Sequence, residues 1–72
     1  MILEKALVKY DKNGNYDITL QSDFKEFKTD SEARTYVKNN IEKDIEYYFY
    51  ETQEDVDNNN HYDVIISNDI LK

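Results

Sequence analysis

The clearest hydrophobic rhythm in the chain runs from Thr29 to Phe49, TDSEARTYVKNNIEKDIEYYF. Ala33, Val37, Ile41, Ile45 and Phe49 recur every four residues, with Tyr36 and Tyr48 beside them. That spacing predicts a helix with one apolar face, which has to be buried against something. Glu32, Lys38, Asn39, Glu42, Lys43 and Glu46 fall on its other side. The start is well marked. Thr29 followed three residues later by Glu32 fits a capping box, and Asp30 and Glu32 put negative charge at the positive end of the helix dipole. The end is not marked, because no Gly or Pro stops it. Tyr47-Tyr48-Phe49-Tyr50 is rich in β-formers and favours a switch to strand near residue 46. The alternative is a longer helix, its stripe carried on through Thr52 and Val56 to Asp57.

Before this segment the rhythm is that of strands. Ile2–Tyr10 and Tyr16–Ser22 read as two strands of a hairpin. Asp11-Lys12-Asn13-Gly14 between them suits a type I turn, and Asn15 completes a three-residue loop with Gly14 in the left-handed bulge position. This turn pairs Tyr10 with Tyr16, Val8 with Ile18 and Ala6 with Leu20 on one face. Leu3, Lys5, Leu7 and Lys9 form a mixed outer face with Asp17, Thr19 and Gln21. Asp23–Lys28 then connects hairpin to helix, with Phe24 and Phe27 tucked against the core. Asp55–Asn60 reads as a loop, His61–Ser67 as a further strand, and the chain end is expected to fray beyond Leu71. The pattern predicts one domain over residues 1–72, two-layer α+β: an antiparallel sheet in the order β-β-α-β-β with one helix across a face. The runner-up is β-β-α-β with the longer helix.

Length changes this picture little, since 72 residues lie near the lower limit for a self-sufficient core, which nets about 3–5 kcal/mol at this size. Self-association or a partner is one source of further stability. There is no Cys, so neither disulfides nor thiolate metal sites are available. The longest apolar runs are a few residues, too short for a membrane span or a signal-peptide core. These features read as a cytoplasmic protein. Asn, Lys, Ile and Tyr are abundant, whereas the chain has one Gly, no Pro and one Arg. Codons for the first group are A/T-rich, which suggests an AT-rich bacterial or phage genome.

Charge changes the picture more. The net charge is −7, and it is lopsided. Residues 1–41 carry seven acids and seven bases, while residues 42–72 carry nine acids and two bases. Such a field repels nucleic acid and anionic membranes and attracts basic surfaces.

Candidate chemistry is sparse. Asp55-Val56-Asp57-Asn58-Asn59-Asn60-His61-Tyr62-Asp63 spaces its oxygens like the first part of a calcium loop. However, Asn60 stands where such a loop has Gly, and Ile66 where a carboxylate should close it. A polar hairpin loop accounts for it, and a turn accounts for the same spacing at Asp11, Asn13, Asn15 and Asp17. No metal or cofactor is expected. His61 is the only His and has no thiol beside it. Ser22, Ser31 and Ser67 are each explained by a strand end or a helix first turn. One Gly cannot build a phosphate loop. Among sixteen acids a close pair arises by chance, so catalysis is not expected.

The tyrosines are more informative. Tyr36, Tyr47, Tyr48, Tyr50 and Tyr62 fall in or beside the acidic half, and some are expected at the surface among Glu46, Glu51, Glu54 and Asp55. Tyr is favoured at interfaces, and carboxylates around it select a basic partner. The pattern thus predicts a non-enzymatic binding module for a protein with a basic surface, such as a nucleic-acid-binding effector. Glu42, Asp44, Glu46, Glu51, Glu54, Asp55 and Asp57 supply the charge, and Tyr47 and Tyr50 the anchors. At the level of class, the small size, the acidic run from Glu42 to Asp57 and the AT-rich composition resemble small acidic phage-encoded antagonists of bacterial defence, among them anti-CRISPR proteins and DNA mimics. The resemblance implies an inhibitor that occupies a groove built for phosphates; it rests on no motif from which a residue's role could be transferred. A homodimeric accessory domain, held by the hairpin edge or by Leu3 and Leu7, is the alternative. A weak calcium-responsive module is the third reading.

Overall fold

The computed structural model describes residues 1–71; the fraying expected beyond Leu71 falls on Lys72 and lies outside the described residues. Four strands form one antiparallel sheet in the order β2-β1-β3-β4, from β1 (Ile2–Tyr10), β2 (Tyr16–Glu26), β3 (Ile45–Tyr50) and β4 (Asp63–Ile66). Helix α1 (Asp30–Asn39) lies between β2 and β3 in sequence. The α+β class and the four antiparallel strands agree with the pattern. The helix count does not: a five-residue helix, α2 (Gln53–Asp57), joins β3 to β4, and a single turn, α3 (Ser67–Ile70), ends the chain.

Helix α1 begins where the sequence marks it. Thr29 caps it, its hydroxyl accepting from the Glu32 N–H at 3.1 Å, while the Glu32 carboxylate accepts from the Lys28 N–H at 3.4 Å. It ends at Asn39, well before residue 46. Asn40 closes it with its own N–H on Val37 and its side-chain amide on the Tyr36 carbonyl. Asp44, at φ 62, then turns the chain into β3. Ala33 and Val37 are buried from the helix, but Ile45 and Phe49 reach the same core from a strand. A spacing of four is one helical turn and also two strand repeats, so it keeps residues on one face in either conformation.

The hairpin turn forms as expected. Gly14 sits at φ 84, its N–H donates to the Asp11 carbonyl, and the Asp11 carboxylate accepts from the N–H groups of Asn13 and Asn15. Tyr10 pairs with Tyr16. Beyond that pair the expected register fails, because β2 bulges twice. Asp17 and Leu20 are left without opposite residues, so Val8 faces Thr19 and Ala6 faces Ser22. With that slack, β2 continues through Glu26 beside the start of β1, and Asp23–Glu26 is strand rather than connection.

The helix covers the face that the sequence pattern assigned to solvent. Leu3 is 1% exposed and packs with Ala33, Val37, Ile45, Tyr47 and Phe49, while Phe27, Tyr36, Ile41 and Ile65 close the margins. The Leu3–Leu7 face is therefore not a free docking patch. Leu3 lies under the helix and only Leu7 stays partly open. On the opposite face Ile2, Ala6, Val8 and Tyr50 are also buried, so the central strands β1 and β3 are covered on both sides. Strand β2 is exposed along its whole length, with Tyr16, Ile18, Leu20 and Phe24 about half accessible.

An ion network ties α1 to β4. Arg34 donates to Asp30 at 2.7 Å and to Asp63 at 2.6 Å, with its guanidinium 4.8 Å from the Phe49 ring centre, and Tyr62 donates its hydroxyl to Asp30. The Tyr62 hydroxyl and then Arg34 hold Asp30 below the usual carboxylate range; Arg34 and the Val64 N–H do the same for Asp63. Groups whose folded pKa is lowered contribute stability above their unfolded value, about 3.9, and lose it as the pH falls through the folded one. Thermal melting of the wild type is therefore expected to fall steeply below about pH 4. Arg34→Met should melt lower at neutral pH and show a flatter acid limb; parallel acid limbs for the two proteins would refute the assignment.

Candidate functional site

The acidic half of the chain separates into two zones. In the first, the carboxylates are absorbed by the fold. Glu42 is exposed but paired at 2.7 Å with Lys5 of the opening hairpin, whose ammonium it holds protonated above the usual lysine range. Asp44 is half-buried and exchanges two hydrogen bonds with the Asn68 side chain, which accepts from its N–H at 2.9 Å and donates to its carboxylate at 2.8 Å. Glu46 is 6% exposed. Its two oxygens accept from the hydroxyls of Tyr10, at 3.2 Å, and Tyr48.

The expected aromatic anchors are inside as well. Tyr47 is fully buried under α1, with its hydroxyl on the Asn40 carbonyl at 3.3 Å. Tyr50 is buried on the opposite face, its hydroxyl donating at 2.9 Å to Glu4, which also accepts from Ser22 at 2.9 Å. Tyr47 and Tyr50 therefore cannot serve as surface anchors. The reason is topological: β3 is a central strand, so alternate residues meet either the helix or the second layer, and neither set faces open solvent.

That second layer is built from tyrosines and glutamates. Tyr10, Glu46, Tyr48, Tyr50 and Glu4 form two hydrogen-bonded clusters across β1 and β3. The His61 ring stands edge-on to Tyr48, 4.9 Å between centres, and to Tyr50 at 6.1 Å. Burial, then the neighbouring carboxylate, pushes the Tyr10 and Tyr50 phenols up to about 12, and Tyr48 is raised by the same causes. These phenols stay protonated at neutral pH, so they act as hydrogen-bond donors, not as bases. An open cleft of about 520 Å³ borders this layer, lined by Tyr10, Tyr16, Asp44, Glu46 and Asp69 among others.

The second zone is the connection from β3 to β4. Thr52 caps α2, its hydroxyl accepting from the Asp55 N–H at 3.2 Å, and Asn59 at φ 54 ends the turn. The expected loop at Asp55–Asn60 is thus helical in its first part. Glu51, Glu54 and Asp57 are exposed and Asp55 is half-buried. Asp55 accepts from Asn60 at 3.4 Å and Asp57 from Gln53 at 3.2 Å, both uncharged donors. Among the described residues none of these four carboxylates enters an ion pair. Residues 44–71 contain no Lys or Arg. Asp63, the last oxygen of the calcium-like spacing, is held by Arg34 and its own neighbour's N–H. No cluster of three or more His, Asp or Glu able to hold a metal ion is present among the described residues, and no helix there is long and apolar enough to cross a membrane.

Of the expected charge, then, Glu51, Glu54, Asp55 and Asp57 stay together on one connection, and Glu42, Asp44 and Glu46 are drawn into the fold. What the sequence pattern missed is that Tyr16, Ile18, Leu20 and Phe24 of β2 stay about half exposed; it had set the first three on one face with Tyr10, Val8 and Ala6 and tucked Phe24 against the core. Comparison with protein-family models, curated proteins and solved structures finds no match to this chain.

Proposed function

We propose that the chain is a non-enzymatic binding module that docks its acidic β3–β4 connection on the basic surface of a nucleic-acid-binding protein, competing with nucleic acid for that surface. One observation carries the reading: Glu51, Glu54, Asp55 and Asp57 stand together without a basic partner among the described residues. Carboxylates already paired, such as Glu42 with Lys5, gain little from a second cation. Unpaired ones on a capped helical turn keep their field and lose little entropy on docking. Long-range attraction of this kind acts mainly on the association rate and is screened over about 8 Å at physiological ionic strength. Inhibition would be competitive occupancy, without turnover.

The test uses a basic DNA-binding domain held on a sensor, with a short DNA duplex as competitor. Wild-type protein is expected to bind, to weaken steeply as salt is raised, and to be displaced by the duplex. Combining Glu51→Gln, Glu54→Gln, Asp55→Asn and Asp57→Asn should weaken binding at least about tenfold, mostly through slower association, with the circular dichroism spectrum unchanged. Binding that ignores both salt and the neutralised connection would refute the proposal.

A further inference from the structure

Strand β2 is one of the two outer strands of the sheet, and among the described residues its far side carries no partner strand. Both of its bulges lie toward its start, whereas its pairing with β1 is regular from Gln21 to Glu26. Which backbone groups face the open edge follows from that register. The Phe27 N–H donates to the Met1 carbonyl at 2.8 Å. Alternation along an antiparallel ladder therefore turns the N–H and C=O groups of Gln21, Asp23 and Lys25 toward β1, and those of Ser22, Phe24 and Glu26 outward. The far side of β1 obeys the same alternation, since the Val8 N–H donates to the Asp44 carbonyl beside β3 at 2.9 Å.

We propose that this edge is a homodimer contact, in which Ser22–Glu26 pairs antiparallel with the same segment of a second copy about a two-fold axis at Phe24. The two sheets would join into a continuous one. The choice of axis is decided by side chains. A two-fold axis perpendicular to the sheet keeps every side chain on its own face, so it must pass through a residue and not between residues. An axis at Asp23 would set two carboxylates opposite each other. An axis at Ser22 would bring Phe24 against the bulged, unpaired Leu20. An axis at Glu26 would again oppose two carboxylates.

An axis at Phe24 avoids all three conflicts. It places Asp23 of each copy opposite Lys25 of the other, so complementary charges meet twice. It sets the two Phe24 rings, each 53% exposed in the single chain, against each other. It also joins the outward-facing backbone groups of Ser22 and Glu26 across the axis. The charged side chains and bulges of β2 guard its other registers against indiscriminate pairing, which is how outer strands commonly avoid aggregation. This contact lies on the edge opposite β4 and is independent of the acidic connection.

Sedimentation from micromolar to millimolar concentration tests the proposal. The wild type is expected to pass from monomer to dimer. Asp23→Lys alone and Lys25→Asp alone each oppose like charges twice and should weaken the dimer about tenfold. The two substitutions together restore the complementary pairs and should recover most of the affinity. Both residues are exposed, and circular dichroism confirms that each variant is folded. Amide exchange supplies the register: the N–H groups of Ser22, Phe24 and Glu26 should gain protection only as concentration rises, while those of Asp23 and Lys25 are protected throughout. A wild type that stays monomeric at millimolar concentration overturns the proposal. So does a dimer that tolerates either single reversal, or one that leaves those three amides unprotected.

Discussion

Phe49→Ala is expected to leave the protein largely unfolded at room temperature, while Phe24→Ala leaves the single chain as stable as the wild type. Phe49 is 1% exposed at the centre of the core, on the strand that meets Leu3 of β1 on one side and Asp63 of β4 on the other. Its ring touches the helix layer through Ala33 and Val37 and carries the Arg34 guanidinium over its face. Truncating a buried Phe costs about 3–5 kcal/mol, from lost transfer energy and from the cavity left behind. A core of this size nets only about 3–5 kcal/mol. The substitution thus removes most or all of it. It also removes the surface on which Arg34 rests, so the link from α1 to β4 loosens with it. Phe24, half exposed on the outer strand, should cost less than about 0.5 kcal/mol. Urea unfolding followed by circular dichroism, at concentrations too low for association, distinguishes the two sites. A Phe49→Ala midpoint close to that of the wild type would show that the core lies elsewhere.

The same residue shows how far the fold could be read from the chain. Ala33, Val37, Ile45 and Phe49 were legible as one buried face, but the conformation carrying the last two was not, because a period of four satisfies helix and strand alike. The helix start was legible because Thr29 and Glu32 act locally. Its end depended on Asn40 and on Asp44 at positive φ, neither of which is a strong signal alone. The face of the hairpin that meets the helix was misread for a geometric reason. Both faces of β1 mix apolar and charged residues, Leu3 and Leu7 with Lys5 and Lys9 on one, Ile2, Ala6 and Val8 with Glu4 on the other, so alternation ranks them only weakly and favours the one with fewer charges. A helix about 10 Å wide covers roughly two strands spaced about 4.8 Å apart. With one long helix in the chain, an outer strand had to remain bare, and it was β2.

The charge of the site was legible and its pairing was not. Composition shows nine acids against two bases after residue 41. It cannot show that Lys5 reaches Glu42, or that Glu4 accepts from Tyr50 across a separation of 46 residues. Those links exist only once β1 lies between β2 and β3. Of the seven carboxylates expected to supply the site's charge, those that stay free lie on the stretch that the sheet does not use, the short connection around α2, where a tight capped turn keeps Glu51, Glu54 and Asp57 out in solvent.

Glu46 provides the second large effect, and it separates burial from charge. Its carboxylate is nearly inaccessible, and both oxygens accept from phenols, Tyr10 and Tyr48. Glu46→Ala leaves two half-buried hydroxyls without their acceptor and opens a gap beneath them. Each unsatisfied group costs about 1–3 kcal/mol, offset in part because a buried carboxylate no longer has to be desolvated. A net loss of about 2–3 kcal/mol is expected. Glu46→Gln keeps an acceptor of the same length and should lose less than half as much. The two variants differ again at high pH. Burial first, and Glu46 second, raise Tyr10 to about 12 and raise Tyr48 as well. A group whose folded pKa is raised contributes stability below its unfolded value, about 10, and loses it as the pH climbs through the folded one. The wild type should therefore lose stability between about pH 10 and 12, with phenolate absorbance rising late and together with unfolding. Removing the charge in Glu46→Gln leaves burial in place, so Tyr10 and Tyr48 should titrate earlier than in the wild type but still above an exposed tyrosine. If Glu46→Gln titrated like the wild type, the carboxylate would have no hold on the two phenols, and the layer would be packing alone.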